Sequence, residues 1–200
     1  MRPHTSLAAV GLAAALTFTL AGCFSASPTT PTTPESAPTT EESAPPALSV
    51  DPATGVLLTG TGYSFNAPEG WTVPSDTPPA ADVFAVAPPD ADGFYNTVNV
   101  LFAPANGESA ETVEIKGVAY LEGIGATDVQ VRPRVAVAGS ESVHFSAGRS
   151  SNGASYRSEQ YIVTANGQDY TVTFVFNITL SQADREALAE SALASWTWAA

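Results

Sequence analysis

The chain has 200 residues, enough for one folded domain with extensions, and carries seven basic residues against twenty acidic ones for a net charge of −13. That balance repels phosphate backbones, so no nucleic acid is expected as a partner, and there is no polybasic run to hold an anionic membrane by charge alone. A single cysteine excludes an internal disulfide, which leaves the fold dependent on its apolar core.

In chain order, Arg2 gives a short positive start and Leu7 to Leu20 form an apolar run of about 14 residues, short of the about 20 that a membrane span needs. Leu20-Ala21-Gly22-Cys23 closes this run and resembles the lipobox of bacterial lipoproteins. Small residues suit a signal-peptidase site, and Cys23 supplies the thiol that takes a diacylglyceryl group. Residues 1–22 are therefore read as a lipoprotein signal peptide and Cys23 as the lipidated N-terminus of the mature chain. Loss of Arg2 would leave a net charge of −14. Two acyl chains anchor stably where one does not. The expected location is the extracytoplasmic face of the cell membrane.

Residues 23–54 follow as a tether of Ser, Thr, Pro, Ala and Glu, typified by Ser27-Pro28-Thr29-Thr30-Pro31. Such a composition cannot bury enough apolar surface to offset chain entropy, and disorder with polyproline character is expected. From residue 55 to 200 the pattern is that of a globular domain. Short strands are expected at Val56–Leu58, Tyr63–Asn66, Asp82–Ala87 and Thr97–Phe102. Ser109 then caps a helix whose stripe is Ala110, Val113, Gly117, Leu121 and Ile124, with Gly125 as its stop. Val129, Val131, Val135 and Val137 are expected on one face of a further strand, with Val143 and Phe145 on the next. Asn166-Gly167 marks a tight hairpin between strands spanning Tyr156 to Phe176. An alanine-rich helix capped by Ser181 is expected to run from Gln182 to Trp198, with Leu188, Ala192 and Trp196 as its stripe.

This order predicts an α+β domain, an antiparallel sheet flanked by helices, with the distribution of the two helices over its faces left open. The stretch Gly62-Tyr63-Ser64-Phe65-Asn66-Ala67-Pro68-Glu69-Gly70-Trp71 is similar to the start of PsbP-like domains. With the lipobox and the Thr/Pro tether, the chain resembles the LpqN/LpqT-type lipoproteins of actinobacteria. That resemblance implies an α/β/α sandwich of Mog/PsbP-like type that serves as a binding or assembly module and has no shared catalytic residues.

Residues with catalytic or ligating chemistry are few. His144 is the one histidine beyond the leader. Alternation puts it opposite Val143 and Phe145 with Ser142 and Ser146, which reads as a polar surface face. Gly148 to Gly153 misses the spacing of a nucleophile elbow and reads as a hairpin loop, so no triad is expected and the protein is not read as an enzyme. One histidine and an acylated cysteine leave too few soft ligands for zinc, Asp90-Ala91-Asp92-Gly93 lacks the rest of a calcium loop, and no glycine-rich phosphate loop is present. No metal and no cofactor are expected. Arg132 and Arg134, read as sharing the face opposite the valines, form a candidate anion or partner contact, weighed against pairing with the protein's own carboxylates. Pro133 between them points to an edge strand. Trp198, two residues from the end, is a candidate exposed contact.

The function expected is a membrane-anchored, non-catalytic binding or assembly module of the cell envelope, with another envelope protein or a glycolipid as partner. The alternative is a lipid or glycolipid carrier with an apolar pocket between sheet and helix. A hydrolase is the weakest reading.

Overall fold

A computed structural model describes residues 44–199, apart from residue 152. The expected leader, Cys23 and most of the tether lie outside the described residues.

Strands β1 (Leu57–Gly60) and β2 (Tyr63–Asn66) form a hairpin that β9 (Thr197–Trp198) joins as a third strand. The main sheet has six strands: β3 (Val83–Val86), β4 (Thr97–Pro104), β5 (Thr127–Val137), β6 (Ser140–Ser151), β7 (Ala154–Ala165) and β8 (Gln168–Asn177), in the order β3-β4-β8-β7-β6-β5. Every pairing within it is antiparallel. Helix α1 (Ala110–Gly123) joins β4 to β5, and α2 (Gln182–Ala194) follows β8. The fold is α+β, an antiparallel sheet with a helix on each face.

Local chemistry explains the boundaries. Ser109 and Ser181 each accept the backbone N–H three residues on, at 3.3 and 3.2 Å, and so satisfy the first free donors of α1 and α2. Asn166 and Gly167 both take positive φ, 52° and 74°, the geometry of a two-residue turn whose twist matches that of the strands it joins. β7 and β8 then pair in unbroken register from Ala165↔Gln168 to Tyr156↔Asn177.

Alternation assigns the two faces of the sheet. Leu101, Thr171, Ile162 and Val143 form one cross-strand row. On this side α1 packs on β5 and β6, with Leu121, Val143, Phe145 and Ala147 buried beneath it. The opposite face carries Val98, Val100, Val172, Phe174 and Val163. It is covered by α2, through Ala189, Ala192 and Leu193, and by the small sheet, through Leu58, Tyr63 and Phe65. Trp196 stacks on Tyr63 (centroids 4.3 Å, 10°) and on Phe65 (5.0 Å, 11°). The stretch Gly62 to Trp71 is therefore a core-building device. Tyr63, Phe65, Ala67 and Trp71 are buried, and Gly70 turns the chain at φ 80°.

Several expectations are corrected. Residues 46–53, read as part of the tether, are seated on the domain. Ala136 N–H donates to Pro46 O and Ala53 N–H to Ser191 O, at 2.9 and 2.8 Å, and Ala53 is buried. Leu48 packs on the core, so one apolar side chain and backbone hydrogen bonding override the composition. Strand β5 does not keep its valines on one face. Its register shifts between Arg132 and Val135, where Pro133 cannot donate to the ladder, so Val129 packs under α1 while Val135 and Val137 face α2. Helix α2 stops at Ala194 rather than Trp198, because Thr197 and Trp198 pair with Ser64 and Tyr63. Ile124 is exposed, and residues 148–151, read as a loop, continue β6.

The seat of α1 depends on a missing side chain. A Cβ on Gly117 would lie 2.3 Å from Phe145 Cζ, so Gly117 lets the helix close onto the ring. Gly117→Ala is expected to lower stability by about 1–3 kcal/mol despite alanine's better helix propensity, because overpacking must push α1 outward. Urea unfolding monitored by circular dichroism measures the change.

Candidate functional site

Two regions stand out. The first is a groove of about 600 Å³ beside α1. The helix sits over β5 and β6, so the same face of the sheet beyond it stays open. Val113, Lys116, Gly117 and Tyr120 of α1 line one side, and Leu101, Ala103, Ile162, Asp169 and Thr171 of the sheet line the other. Leu101 and Tyr120 are exposed there, Tyr120 at 64%. The lining is mostly hydrocarbon, with a Glu108–Lys116 ion pair and Asp169 at its edges.

The second is a polar chamber on the other face, under α2. The row that begins with Val100 and Val172 continues as Tyr161, His144 and Arg132, so the core turns from apolar to charged within one cross-strand line. Glu159 is fully buried, and its Oε1 accepts from Arg185 Nε at 2.8 Å and from Ser146 Oγ at 3.0 Å. Its Oε2 lies 3.1 Å from His144 Nε2. The His144 ring stacks on Tyr161 at 3.9 Å. Arg185, buried on α2, also donates to Leu180 O at 2.7 Å. Arg132 Nε and Gln182 Nε2 both donate to Glu186 Oε1, at 2.9 and 3.2 Å. Arg157 spans Ser146 and Asp128, at 3.0 and 2.8 Å.

His144 is thus not on a surface. It is 2% exposed, and alternation placed it correctly opposite Val143 and Phe145, but α2 covers that second face. Arg132 and Arg134 are not neighbours on one face either, because the bulge at Pro133 divides them. Arg132 reaches Glu186 of α2, whereas Arg134 grips both oxygens of Glu114 on α1 at 2.7 and 3.0 Å and also donates to Glu141. Both arginines serve internal ion pairs. Trp198 is half-buried against Tyr170 and Trp196, and its Nε1 donates to Ala138 O at 3.3 Å. Asp90 organises a turn, accepting from the N–H groups of Asp92 and Phe94 and from Asn177 Nδ2. Glu159, Arg185 and Glu186 form no motif along the sequence because β7 and α2 meet only in the folded chain. A glutamate on the inward phase of β7, between Ser158 and Gln160, was the one signal available.

Ser146 bonds Glu159 and not His144, so among the described residues no nucleophile is activated by a base in this chamber. Burial pushes the Glu159 carboxyl up, but hydrogen bonds from His144, Arg185 and Ser146 outweigh it and hold the group below the ordinary glutamate range.

No protein-family model and no curated protein matches the sequence. Solved structures are similar in outline. A Bacteroides thetaiotaomicron protein aligns with a TM-score of 0.49 and 13% identity over 74% of this chain and 49% of its own, so this chain spans about half that protein's length. LpqN of Mycobacterium tuberculosis, described as involved in cell envelope biogenesis, aligns at 0.48 and 13% over 71% of this chain and 88% of its own. Cyanobacterial PsbP from Synechocystis aligns at 0.48 and 15% over 76% and 96%. These are weak, broad likenesses to Mog/PsbP-like folds, and no residue role carries over at such identities.

Because the folded-state value of Glu159 is lowered, its stabilising contribution is present above the unfolded carboxylate value, about 4.3, and is lost as pH falls through the lowered one. Glu159→Gln is expected to cost about 3–5 kcal/mol at neutral pH, since Arg185 is left buried without its carboxylate. It should also flatten the loss of stability below about pH 4. Denaturant titrations between pH 3 and pH 7 on both proteins check this.

Proposed function

We propose that this chain is a lipid-anchored, extracytoplasmic binding module of the cell envelope, without catalytic activity, that offers the groove beside α1 to its partner. The groove is the observation that carries the reading. It leaves apolar side chains in contact with water beside a helix that covers only part of the sheet, and such a patch on a folded domain marks a contact surface. The candidate contact is Leu101 and Tyr120, since Arg132 and Arg134 are engaged in ion pairs and Trp198 packs on Tyr170 and Trp196. The anchor rests on Leu20-Ala21-Gly22-Cys23, with the Ser/Thr/Pro stretch after it as the arm that carries the domain clear of the lipid surface.

Cys23→Ser is expected to abolish lipid labelling and to release the protein from the membrane fraction in cells fed a clickable palmitate analogue. Retention and processing equal to the parent protein would end the anchor reading. A photo-crosslinking residue at Tyr120 is expected to capture a partner in intact cells, whereas one at Ala187, exposed on α2 and remote from the groove, captures none. Equal capture at both positions would remove the groove from the proposal.

The carrier reading keeps one supporting observation, namely that this groove lies between a helix and the sheet and is lined largely by hydrocarbon. It is open rather than enclosed, and Phe145 fills the space directly beneath Gly117. Lipid co-purifying with the protein in mass spectra, and lost in Leu101→Asp, would favour the carrier over the protein-binding module.

A further inference from the structure

The chamber under α2 holds three ligand-type side chains, His144, Glu159 and Glu186, whose donor atoms all lie within 4.8 Å of one another. Their hydrogen bonds are arranged one-sidedly. Arg185 and Ser146 take Glu159 Oε1, and Arg132 and Gln182 take Glu186 Oε1. Each carboxylate therefore keeps its Oε2 clear of the arginines. The 3.1 Å between His144 Nε2 and Glu159 Oε2 is also the spacing of two ligands each about 2.1 Å from a shared ion. Carboxylates fixed by outer hydrogen bonds while the other oxygen faces inward have the arrangement of a metal ligand with its supporting shell.

Two further observations point to something missing from the chamber's balance. The Tyr161 hydroxyl is fully buried beside the cluster, its ring against His144, and finds no hydrogen-bond partner among the described residues. Ser142 Oγ, two positions before His144 on the same face, is likewise buried and unpartnered.

We propose that this chamber binds a divalent first-row transition ion through His144 Nε2, Glu159 Oε2 and Glu186 Oε2. The imidazole selects this class over calcium or magnesium, which prefer oxygen ligands alone. The chain holds few soft ligands. The fold changes the count by setting two carboxylates against the one imidazole. Entry is from the side of Glu186, whose side chain is 24% exposed. The ion would fasten α2 to β6 and β7, a structural role independent of the groove on the other face.

The test uses the untagged full chain in detergent, with Zn²⁺ as the probe. Calorimetry is expected to show about one Zn²⁺ per chain and a rise in Tm on binding, with Ca²⁺ giving neither. Glu186→Gln should weaken Zn²⁺ binding at least about tenfold, and Glu111→Gln, on the exposed side of α1, should leave it unchanged. Zn²⁺ uptake that is equal in Glu186→Gln and the parent, or absent in the parent, overturns the proposal. Should Glu186→Gln fail to fold, long-range ¹H–¹⁵N spectra of the parent protein decide. Zn²⁺ must move the His144 ring nitrogens, and unmoved resonances overturn the proposal just as surely.

Discussion

A carboxylate with no access to water holds the second helix to the sheet. Glu159 sits on the middle of β7, and only the donors of Arg185, Ser146 and His144 make its burial tolerable. Removing water from a charge costs several kcal/mol, and that cost is offset only while every donor stays in place. The requirement fixes the rotation of α2, because Arg185 must face inward while Ala189, Ala192 and Leu193 meet the apolar half of the same surface. The placement of the small sheet follows. Once α2 is set, Trp196 falls between Tyr63 and Phe65, and β9 can add to β2.

The two faces of the six-stranded sheet are thus closed by different means. Under α2 the contact is half oil and half salt, and specific in its angles. Under α1 it is close packing, with Phe145 pressed on Gly117 and Arg134 clasping Glu114 at the side. Because α1 spans only part of its face, the strands beyond it stay uncovered, and the groove is a direct result of one helix being narrower than the sheet it sits on.

Much of this architecture is legible in the sequence where the signal is local. Ser109 and Ser181 start their helices as read, and Asn166-Gly167 makes the hairpin. Alternation reports which residues share a face and is silent about what covers that face, which is why His144 is correctly opposed to Phe145 and yet buried. The valines of β5 mislead because a bulge at Pro133 resets the period after Arg132. The alanine run of α2 gives way at Ser195 because sheet pairing with β2 outweighs helix propensity for Thr197 and Trp198. The charged chamber brings together residues from 144 to 186, and no window along the chain contains it.

The short seam made by residues 46–53 has a mechanical meaning. Pro46 and Ala47 lie along the outer edge of β5, and Ala53 is tied to the end of α2. A pull applied from the N-terminal direction therefore loads the Pro46–Ala136 hydrogen bond first and the Ala53–Ser191 bond next. These contacts yield one at a time, like a seam opened from its end. The interlocked ladder of β6, β7 and β8 stays out of the line of force until that slack has been drawn out.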